Sequence, residues 1–352
     1  MKIKVNLSTH LKEKPTDESK LGFGRIFTDH MLLMDYDTDR GWHNARIDPY
    51  GALKLDPAAV CLHYGQEIFE GLKAYYGKDS GIYLFRPSDN FKRLNGSARR
   101  VCMPELDTEI AMEALKKLIR EWIPKTRGTS LYIRPTMIAT EPFLGVQAAN
   151  RYLFYIIIGP VGSYYPGGLN PVKIYVEDRY ARAVPGGTGE AKTGGNYAAS
   201  LLAAAEAKKK GFSQVLWLDG CEKKWVEEVA AMNMFFVIGD EVITAPLTGC
   251  ILRGITRDSV IKMVGDWGLK IKEKLVSIND VLAAASSGKL KEAFGTGTAA
   301  VISPVGQITY KDKDYIIANG KMGELSQKLY DEIIAIQYAE KPDPYGWTEK
   351  IG

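Results

Sequence analysis

One glycine-dense stretch constrains this chain more than any other. Residues 186–197 read GGTGEAKTGGNY, so a single lysine, Lys192, stands among five glycines. Glycines let the backbone approach a ligand closely, and they leave few side chains around the lysine amine. The alanine-rich segment 198–210 follows directly and predicts a helix. Lys192 is therefore the first candidate for a reactive group.

Three interpretations of Lys192 compete. Residues 186–193 miss the phosphate-binding pattern G-x-x-x-x-G-K-[ST] by one residue, because Ala191 stands where the second glycine belongs. That pattern also requires a strand directly before the loop, whereas the predicted strand 173–177 ends well short of it. In the second interpretation Lys192 binds a carbonyl cofactor, such as pyridoxal phosphate, as a Schiff base and later carries a proton. The third is a solvated lysine in a flexible turn.

Length and composition are those of an ordinary globular protein with room for two domains. The chain has 352 residues, of which 45% are hydrophobic and 25% charged. A net charge of +4 is too small and too dispersed to indicate a nucleic-acid partner. The four cysteines lie far apart without C-x-x-C spacing, which favours buried free thiols in a reducing compartment.

The sequence indicates neither export, nor a membrane span, nor a metal site. The N-terminal residues are charged and polar, unlike a secretory signal. The longest apolar run, 152–159, is far shorter than the roughly 20 residues that a membrane helix needs. All four histidines fall between His10 and His63, without the spacing of zinc ligands. We expect a cytoplasmic protein without a metal.

The predicted elements interleave hairpins and helices. Strands are predicted at 23–34, 66–76, 82–86, 130–140, 152–159, 173–177, 214–218, 232–238 and 241–245. Helices are predicted at 57–63, after a cap at Ser88, at 108–125, at 198–210, from Gly254, after a cap at Ser277, and at 325–338. This mixture indicates α+β or mixed α/β domains rather than a doubly wound sheet. Glycines and prolines predict a linker at 162–172 between a smaller domain, 1–161, and a larger one, 173–352, that carries Lys192.

Other segments offer the parts that a phosphorylated aldehyde would need. The amides of Ile255 and Thr256 at a helix start, a turn with Thr298, and the cation Arg93 could bind a phosphate. Residues 225–233 hold two adjacent acids, one of which could keep a pyridine nitrogen protonated. Taken singly, each part could be structural, because glycines often cap helices and such charges are often solvated.

Together these segments resemble the branched-chain amino-acid aminotransferases, which are class IV pyridoxal-phosphate enzymes. The resemblance covers nearly the whole chain and implies the two-domain, D-amino-acid-transaminase-like fold, fold type IV. The matching stretches are FTDHML at 27–32, LHYGQEIFEGLKA at 62–74, YIRP at 132–135, EPFLGV at 141–146, the Lys192 loop, Glu228 with Met232-Asn233, GITR at 254–257 and GTGTA at 295–299.

The resemblance implies a role for each cofactor residue. Lys192 would bind pyridoxal 5'-phosphate and then move a proton between the substrate alpha carbon and the aldehyde carbon of the cofactor. Glu228 would pair with the pyridine nitrogen, and Tyr197 with the phenolic oxygen. The phosphate would be bound by Arg93, Ile255, Thr256 and Thr298.

It also implies an apolar substrate pocket in a homodimer. The walls would be Phe69, Tyr132 and Tyr164, and the neighbouring subunit would contribute Tyr64, Leu144 and Val146. Tyr132 and Arg134 would bind the distal carboxylate of glutamate. Backbone amides, those of Ala231 and Ala299, would hold the alpha-carboxylate. The expected reaction exchanges an amino group between leucine, isoleucine or valine and 2-oxoglutarate, giving branched-chain 2-oxo acids and L-glutamate.

Two departures from the family pattern stand out. Many members carry Gly-Thr where this chain has Ala230-Ala231, so the threonine hydroxyl that helps to hold the alpha-carboxylate is missing. Mammalian members have a redox C-x-x-C where this chain has Ala300 and Ser303, so we expect no thiol switch.

Three rival functions stay open at this point. A D-amino-acid transaminase or an aminodeoxychorismate lyase would keep the fold and cofactor, but these enzymes usually have shorter chains. A nucleotide-dependent phosphotransferase would use 186–193 and the run VLWLD at 215–219, which ends in a possible magnesium ligand, Asp219. A non-catalytic binding protein would have no need of this ordered set of residues.

Overall fold

The structure, a computed structural model, describes residues 1–119, 122–162 and 169–351. Its strands are β1 (Lys4–Val5), β2 (His30–Asp37), β3 (Gly41–Pro49), β4 (Glu67–Phe69), β5 (Leu72–Tyr76), β6 (Ile82–Phe85), β7 (Ser130–Ala139), β8 (Arg151–Val161), β9 (Val172–Glu177), β10 (Gln214–Leu218), β11 (Val226–Val229), β12 (Met232–Ile238), β13 (Glu241–Thr244), β14 (Lys270–Glu273), β15 (Leu290–Gly297), β16 (Val301–Tyr310), β17 (Lys313–Ile316) and β18 (Thr348–Lys350). Its α-helices are α1 (Val60–Tyr64), α2 (Pro87–Arg100), α3 (Thr108–Ile119), α4 (Gly194–Ala198), α5 (Leu201–Lys209), α6 (Ile255–Asp266), α7 (Ile278–Ser286) and α8 (Glu324–Gln337).

The chain forms two compact units. The first comprises Met1–Pro166, Ala191–Gly194 and Ile334–Gly352, and the second comprises Gly167–Glu190 and Gly195–Ile333. The short segment with Lys192 therefore counts with the first unit, although the residues on either side of it count with the second. The domain limits inferred from the sequence, with a linker at 162–172, stay a prediction.

The first unit is built on a sheet in the order β1-β3-β2-β8-β7-β5-β6-β18, with β4 also paired to β7. Its centre is the long antiparallel ladder of β7 and β8, from Ser130↔Val161 to Ala139↔Tyr152. Because strand side chains alternate between faces, Leu131 and Ile133 join the core of α2 and α3, whereas Tyr132 and Arg134 point to the other face.

The predicted strand 66–76 is interrupted, so the prediction of one continuous strand is wrong. β4 ends at Phe69 and β5 begins at Leu72. The amide of Glu70 donates to the Pro135 carbonyl at 2.8 Å, and the Glu70 side chain turns to an arginine instead of continuing the ladder. A buried charge pair therefore divides a segment whose apolar residues alone predict a single strand.

Strands of the second unit close into a ring. β11 pairs with β10 on one side and with β12 on the other, which closes β11, β10, β9, β16, β15 and β12 into a six-stranded barrel. The pairs β9–β10 and β9–β16 are parallel, and the pairs β15–β16 and β12–β15 are antiparallel. The mixed sheet predicted from the sequence is confirmed.

Several predicted helix limits need correction. The helix expected at 198–210 begins later, as α5 at Leu201, and Ala198 is the last residue of α4; between the two helices the Ser200 hydroxyl donates to the Tyr197 carbonyl at 2.7 Å. Helix α3 ends by Ile119, and the described residues after it, from Trp122, are not helical. Helix α2 begins at Pro87 after Arg86, so Ser88 is not its cap.

Other limits agree with the sequence. Helix α6 begins at Ile255, directly after Gly254, as predicted. Ser277 caps α7 by accepting a hydrogen bond from the Asp280 amide at 3.0 Å. The cysteines are unpaired, but Cys102 and Cys221 are exposed rather than buried. Among the described residues no helix is long and apolar enough to cross a bilayer.

The hairpin between β11 and β12 turns at Ala230 and Ala231 with unusual backbone geometry. Ala230 has a φ of 52°, in the left-handed region, whereas Ala231 does not have a positive φ. A positive φ at the first of two turn residues is typical of a type II′ turn, which favours glycine there. The turn is nevertheless held, because the Ala230 amide donates to the Val215 carbonyl at 2.7 Å.

We expect Ala230→Gly to stabilise the protein by about 1 kcal/mol, because a non-glycine residue in the left-handed region costs about 1–2 kcal/mol. Thermal and urea unfolding would measure the gain. Ala231→Gly is the matched control and should give no gain, since its φ needs no relief. Equal effects of the two changes would contradict the assignment of strain to Ala230.

Candidate active site

Both sides of Lys192 are fixed to the first unit through the backbone. Its amide donates to the Ser97 hydroxyl of α2 at 2.9 Å, and its carbonyl accepts from the Phe69 amide of β4 at 3.0 Å. The next residue, Thr193, donates from its hydroxyl to the Glu67 carbonyl at 2.7 Å. Helix α2 and strand β4 therefore determine where the Lys192 side chain begins.

The Lys192 amine lies against an aromatic ring that a second cation shares. Its Nζ is 4.9 Å from the centre of the Phe69 ring, and the Arg134 Cζ is 4.7 Å from the same centre. Arg134 also donates from Nη2 to the Tyr132 hydroxyl at 3.0 Å. The first unit thus brings together four of the predicted site residues: an amine, an apolar wall, a phenol and a guanidinium.

Arg93, predicted to bind a phosphate, forms a bidentate ion pair. Its Nε and Nη2 donate to the two oxygens of Glu70 at 2.6 and 2.8 Å, and the Glu70 side chain is fully buried. Ser97, one turn later on α2, donates to the Arg93 carbonyl at 3.1 Å and also accepts the Lys192 amide. One helix therefore positions both Arg93 and Lys192. The sequence reading missed Glu70 and Ser97, although an acid inside the apolar run FEGL was a usable signal.

Glu228 lies on β11 of the second unit, where it is buried among donors. Its Oε1 accepts from the Leu252 amide at 2.8 Å and from Asn233 Nδ2 at 3.5 Å. Its Oε2 lies 3.3 Å from Nε of Arg182. A buried carboxylate needs such partners, because an uncompensated charge away from water is costly. Of the two adjacent acids, Glu228 is the one that this network holds.

Asn233 connects Glu228 to the start of α6. Its side-chain amide donates to the Leu252 carbonyl at 2.9 Å, and a Cβ on Gly254 would lie 1.9 Å from its Oδ1. Glycine at position 254 therefore permits this approach. Gly254, which precedes α6, has no side chain that could cap the helix, and Thr256 in the first turn is buried. Helix N-termini offer backbone donors of the kind that bind phosphate groups.

The remaining predicted residues of the second unit lie on turns and a short helix. Thr298 and Ala299 form the half-buried turn between β15 and β16, and Ala231 is exposed on the turn after β11. Tyr197 is half-buried on α4. Thr296, near the end of β15 and beside the turn of Thr298 and Ala299, is buried, and its hydroxyl has no hydrogen-bond partner among the described residues.

The residues predicted to reach a neighbouring subunit are exposed on the first unit. Tyr64 is 43% exposed, Leu144 62% and Val146 85%. The Tyr64 hydroxyl donates to the Leu144 carbonyl, so these two lie together. Tyr164 lies outside the described residues.

The geometry disfavours the nucleotide interpretation. β9 ends at Glu177, well before the glycine-rich loop. The proposed magnesium ligand, Asp219, accepts four backbone N–H groups, which makes it the organiser of a turn. In the parts of the chain that the structure describes, no cluster of three or more metal-ligating side chains occurs.

Comparisons with known proteins agree on one family. The family described as amino-transferase class IV matches residues 67–308. The chain is 54% identical over 352 residues to branched-chain-amino-acid aminotransferase 2 of Bacillus subtilis (strain 168), with 99% of this chain and 97% of the relative covered.

Two solved structures extend the agreement to the fold. The branched-chain amino acid aminotransferase of Escherichia coli superposes with a TM-score of 0.78 at 28% identity, covering 92% of this chain and 99% of that one. The branched-chain aminotransferase of the archaeon Thermoproteus uzoniensis, solved with norvaline, gives 0.77 at 26% identity, covering 92% and 100%. The fold expected from the sequence resemblance is confirmed.

Glu227, next to Glu228 on β11, is a buried carboxyl with a raised pKa. Burial raises the pKa of Glu227 to about 7, although the nearby Arg182 guanidinium acts to lower it. Its Oε2 has no hydrogen-bond partner among the described residues. Because the pKa in the folded state lies above the ordinary value of 4.5, the neutral form is the one that folding favours.

We expect the free energy of unfolding to depend on pH through Glu227. The contribution of Glu227 is fully present below about pH 4.5 and is lost as pH rises through about 7, by up to about 3 kcal/mol. Urea unfolding of the wild type and of Glu227→Gln at pH 5 and pH 8 should show a smaller loss in the variant. Glu222→Gln, an exposed neighbour, is the control. Parallel pH curves for the wild type and Glu227→Gln would show that burial does not perturb this carboxyl.

Proposed function

The chain belongs to the class IV aminotransferases, and on that basis we propose that it is a branched-chain amino-acid transaminase. It transfers the amino group of leucine, isoleucine or valine to 2-oxoglutarate, and runs in reverse, with pyridoxal 5'-phosphate bound to Lys192 as a Schiff base. The observation that carries this proposal is the doubly fixed backbone of Lys192, with its amine directed onto the Phe69 ring.

The residues fit a phosphorylated pyridine aldehyde. Ile255 and Thr256 at the start of α6 and Thr298 in the turn after β15 would offer donors of the second unit to a phosphate dianion, and Arg93 of the first unit would offer it a cation. The buried hydroxyl of Thr296 has no partner among the described residues beside that turn. Glu228 is a carboxylate suited to a ring nitrogen, and Tyr197 is a phenol suited to a phenolic oxygen.

The bound cofactor would supply an electron sink that stabilises negative charge on the substrate alpha carbon. Lys192 would supply the proton chemistry: its amine would accept the proton of the substrate alpha carbon and hold it for return. The fixed backbone keeps that amine within a small volume, because only its own side-chain torsions remain variable.

Substrate choice follows from the apolar wall and the guanidinium next to it. Phe69 and Tyr132 give a branched aliphatic chain an apolar surface, and Arg134 with the Tyr132 hydroxyl gives glutamate a carboxylate partner. The backbone amides of Ala231 and Ala299 bind the alpha-carboxylate.

The working form proposed is a homodimer in which each pocket is completed by its neighbour. Tyr64, Leu144 and Val146 form an exposed apolar group on the first unit, and exposed apolar patches on soluble proteins often mark interfaces. In the dimer these side chains would line the pocket of the adjacent subunit, which would exclude water from the branched aliphatic chain.

Lys192→Ala should abolish the covalent link to the cofactor and lower transamination at least about a thousandfold, because it removes the proton carrier. After incubation with pyridoxal 5'-phosphate and reduction with borohydride, peptide mapping of the wild type should show the label at Lys192. Lys210→Ala, an exposed lysine, should keep both label and activity. A wild-type protein labelled only at other lysines would overturn the proposal.

Arg134→Met should separate the two substrates. We expect KM for 2-oxoglutarate to rise about tenfold, since a charge-assisted hydrogen bond is lost, while KM for leucine changes less than about twofold. Steady-state transamination between leucine and 2-oxoglutarate, with each substrate varied in turn, would measure both KM values. Arg127→Met, an exposed arginine paired with Glu340, is the control. Activity confined to D-amino acids, or an equal loss for both substrates, would count against this assignment.

A further inference from the structure

Arg182 stands just before the glycine-rich loop and points into the buried network around Glu228. Its side chain is only 7% exposed. Its Nε lies 3.3 Å from Oε2 of Glu228, and its Nη2 donates to the Cys250 carbonyl. Nothing in the motifs of the sequence marks this arginine, since the resemblance assigns it no role.

Arg182 and Glu228 both form hydrogen bonds to the backbone of segment 250–252. Cys250 accepts from Arg182, and Leu252, two residues later, donates to the other oxygen of Glu228 at 2.8 Å. The Cys250 carbonyl is also approached by Gly189 of the loop, where a Cβ would lie 2.3 Å away. One oxygen of the Glu228 carboxylate therefore accepts a backbone amide of segment 250–252, and the other pairs with the guanidinium of Arg182. Arg182 also binds that segment, through the Cys250 carbonyl.

The positive charge of Arg182 lies beside two buried acids, Glu227 and Glu228. Glu227 and Glu228 are adjacent and both buried, so two carboxylates share one low-dielectric region. Because burial raises the pKa of Glu227 to about 7, the lasting negative charge here is that of Glu228, and a buried charge needs a cation as its partner. Arg182 acts on both: it forms the ion pair with Glu228 and opposes the effect of burial on Glu227.

We propose that Arg182 is a positioning residue that keeps the Glu228 carboxylate charged and oriented toward the ring nitrogen of the cofactor. This inference rests on the proposed function, in which Glu228 pairs with that nitrogen. A charged Glu228 stabilises a protonated pyridine nitrogen, whereas a neutral Glu228 without its cation does so poorly. The simpler alternative is that Arg182 only ties the loop to segment 250–252.

A pair of cofactors separates these two roles. Pyridoxal 5'-phosphate has the ring nitrogen, and its 1-deaza analogue carries a carbon at that position but keeps the phosphate, the aldehyde and the phenol. Binding affinity is measured by titrating cofactor-free protein and following absorbance and fluorescence quenching. For Arg182→Met we expect about a tenfold loss of affinity for pyridoxal 5'-phosphate and less than about a twofold change for the analogue. Equal losses for both cofactors would overturn the proposal.

Two further variants make the outcome specific. Arg179→Met, an exposed arginine three residues earlier that pairs with Glu206, should leave both affinities unchanged. Glu228→Gln tests the role on which the inference rests. If Glu228→Gln weakens both cofactors equally, the assigned role of Glu228 is wrong. If Glu228→Gln discriminates between them and Arg182→Met does not, only the inference about Arg182 fails.

Arg182→Lys covers the case in which the methionine variant does not fold, which circular dichroism and thermal melting would reveal. Lysine keeps the cation but cannot reach both Glu228 and the Cys250 carbonyl with a planar fork. We expect a loss of several-fold for pyridoxal 5'-phosphate, smaller than that of Glu228→Gln, with the analogue unaffected. A loss shared equally by the two cofactors would again overturn the proposal.

Discussion

Two hydrogen bonds hold the backbone of Lys192, one from the Phe69 amide to its carbonyl and one from its own amide to the Ser97 hydroxyl, and the position of its amine depends on them. A lysine among glycines would otherwise sample many backbone conformations, because glycine restricts the chain least. Phe69 is itself held by the antiparallel pairing of β4 with β7. The backbone of Lys192 is therefore attached to the central sheet of the first unit. The same residue supplies the ring against which the amine lies. Strand β4 thus fixes Lys192 through both its backbone and its side chain.

Each unit also buries a carboxylate that is compensated by an arginine. Glu70 is paired with Arg93 in the first unit, and Glu228 with Arg182 in the second. Buried ion pairs seldom add much stability, because desolvation offsets their attraction, but they hold their partners in one geometry. In both places the pair includes a residue proposed to bind the cofactor. The desolvation of these two ion pairs is therefore offset less by added stability than by the fixed position of residues proposed to bind the cofactor.

Local chemistry made much of this structure predictable, and long-range pairing limited the rest. The cap at Ser277, the start of α6 after Gly254 and strands such as β7, β8 and β12 follow from short-range propensities, whereas the long strands β3, β15 and β16 were not predicted. The break at Glu70 was missed: the acid in the apolar run FEGL was a signal, but its partner Arg93 is distant in sequence. Strand β1 was missed because it is only two residues long and exists through its pairing with β3.

The candidate site divides in the same way. Lys192, Phe69, Tyr132 and Arg134 were named from motifs, and the first unit brings them together. Ser97 and Arg182 act by holding other residues, and such roles leave no short motif in the chain. Tyr164 lies outside the described residues. The sequence thus identifies groups suited to chemistry more readily than the groups that orient them.

Closure of the barrel affects local unfolding of the strand that carries Glu228. β11 has no open edge, since one side pairs with β10 and the other with β12. Fraying of a strand usually begins at an edge, where one ladder alone must open, but β11 can separate only by losing two at once. Amide hydrogens around Glu228 should therefore be slow to exchange with solvent, and the carboxylate should keep its place during fluctuations that loosen the surrounding loops.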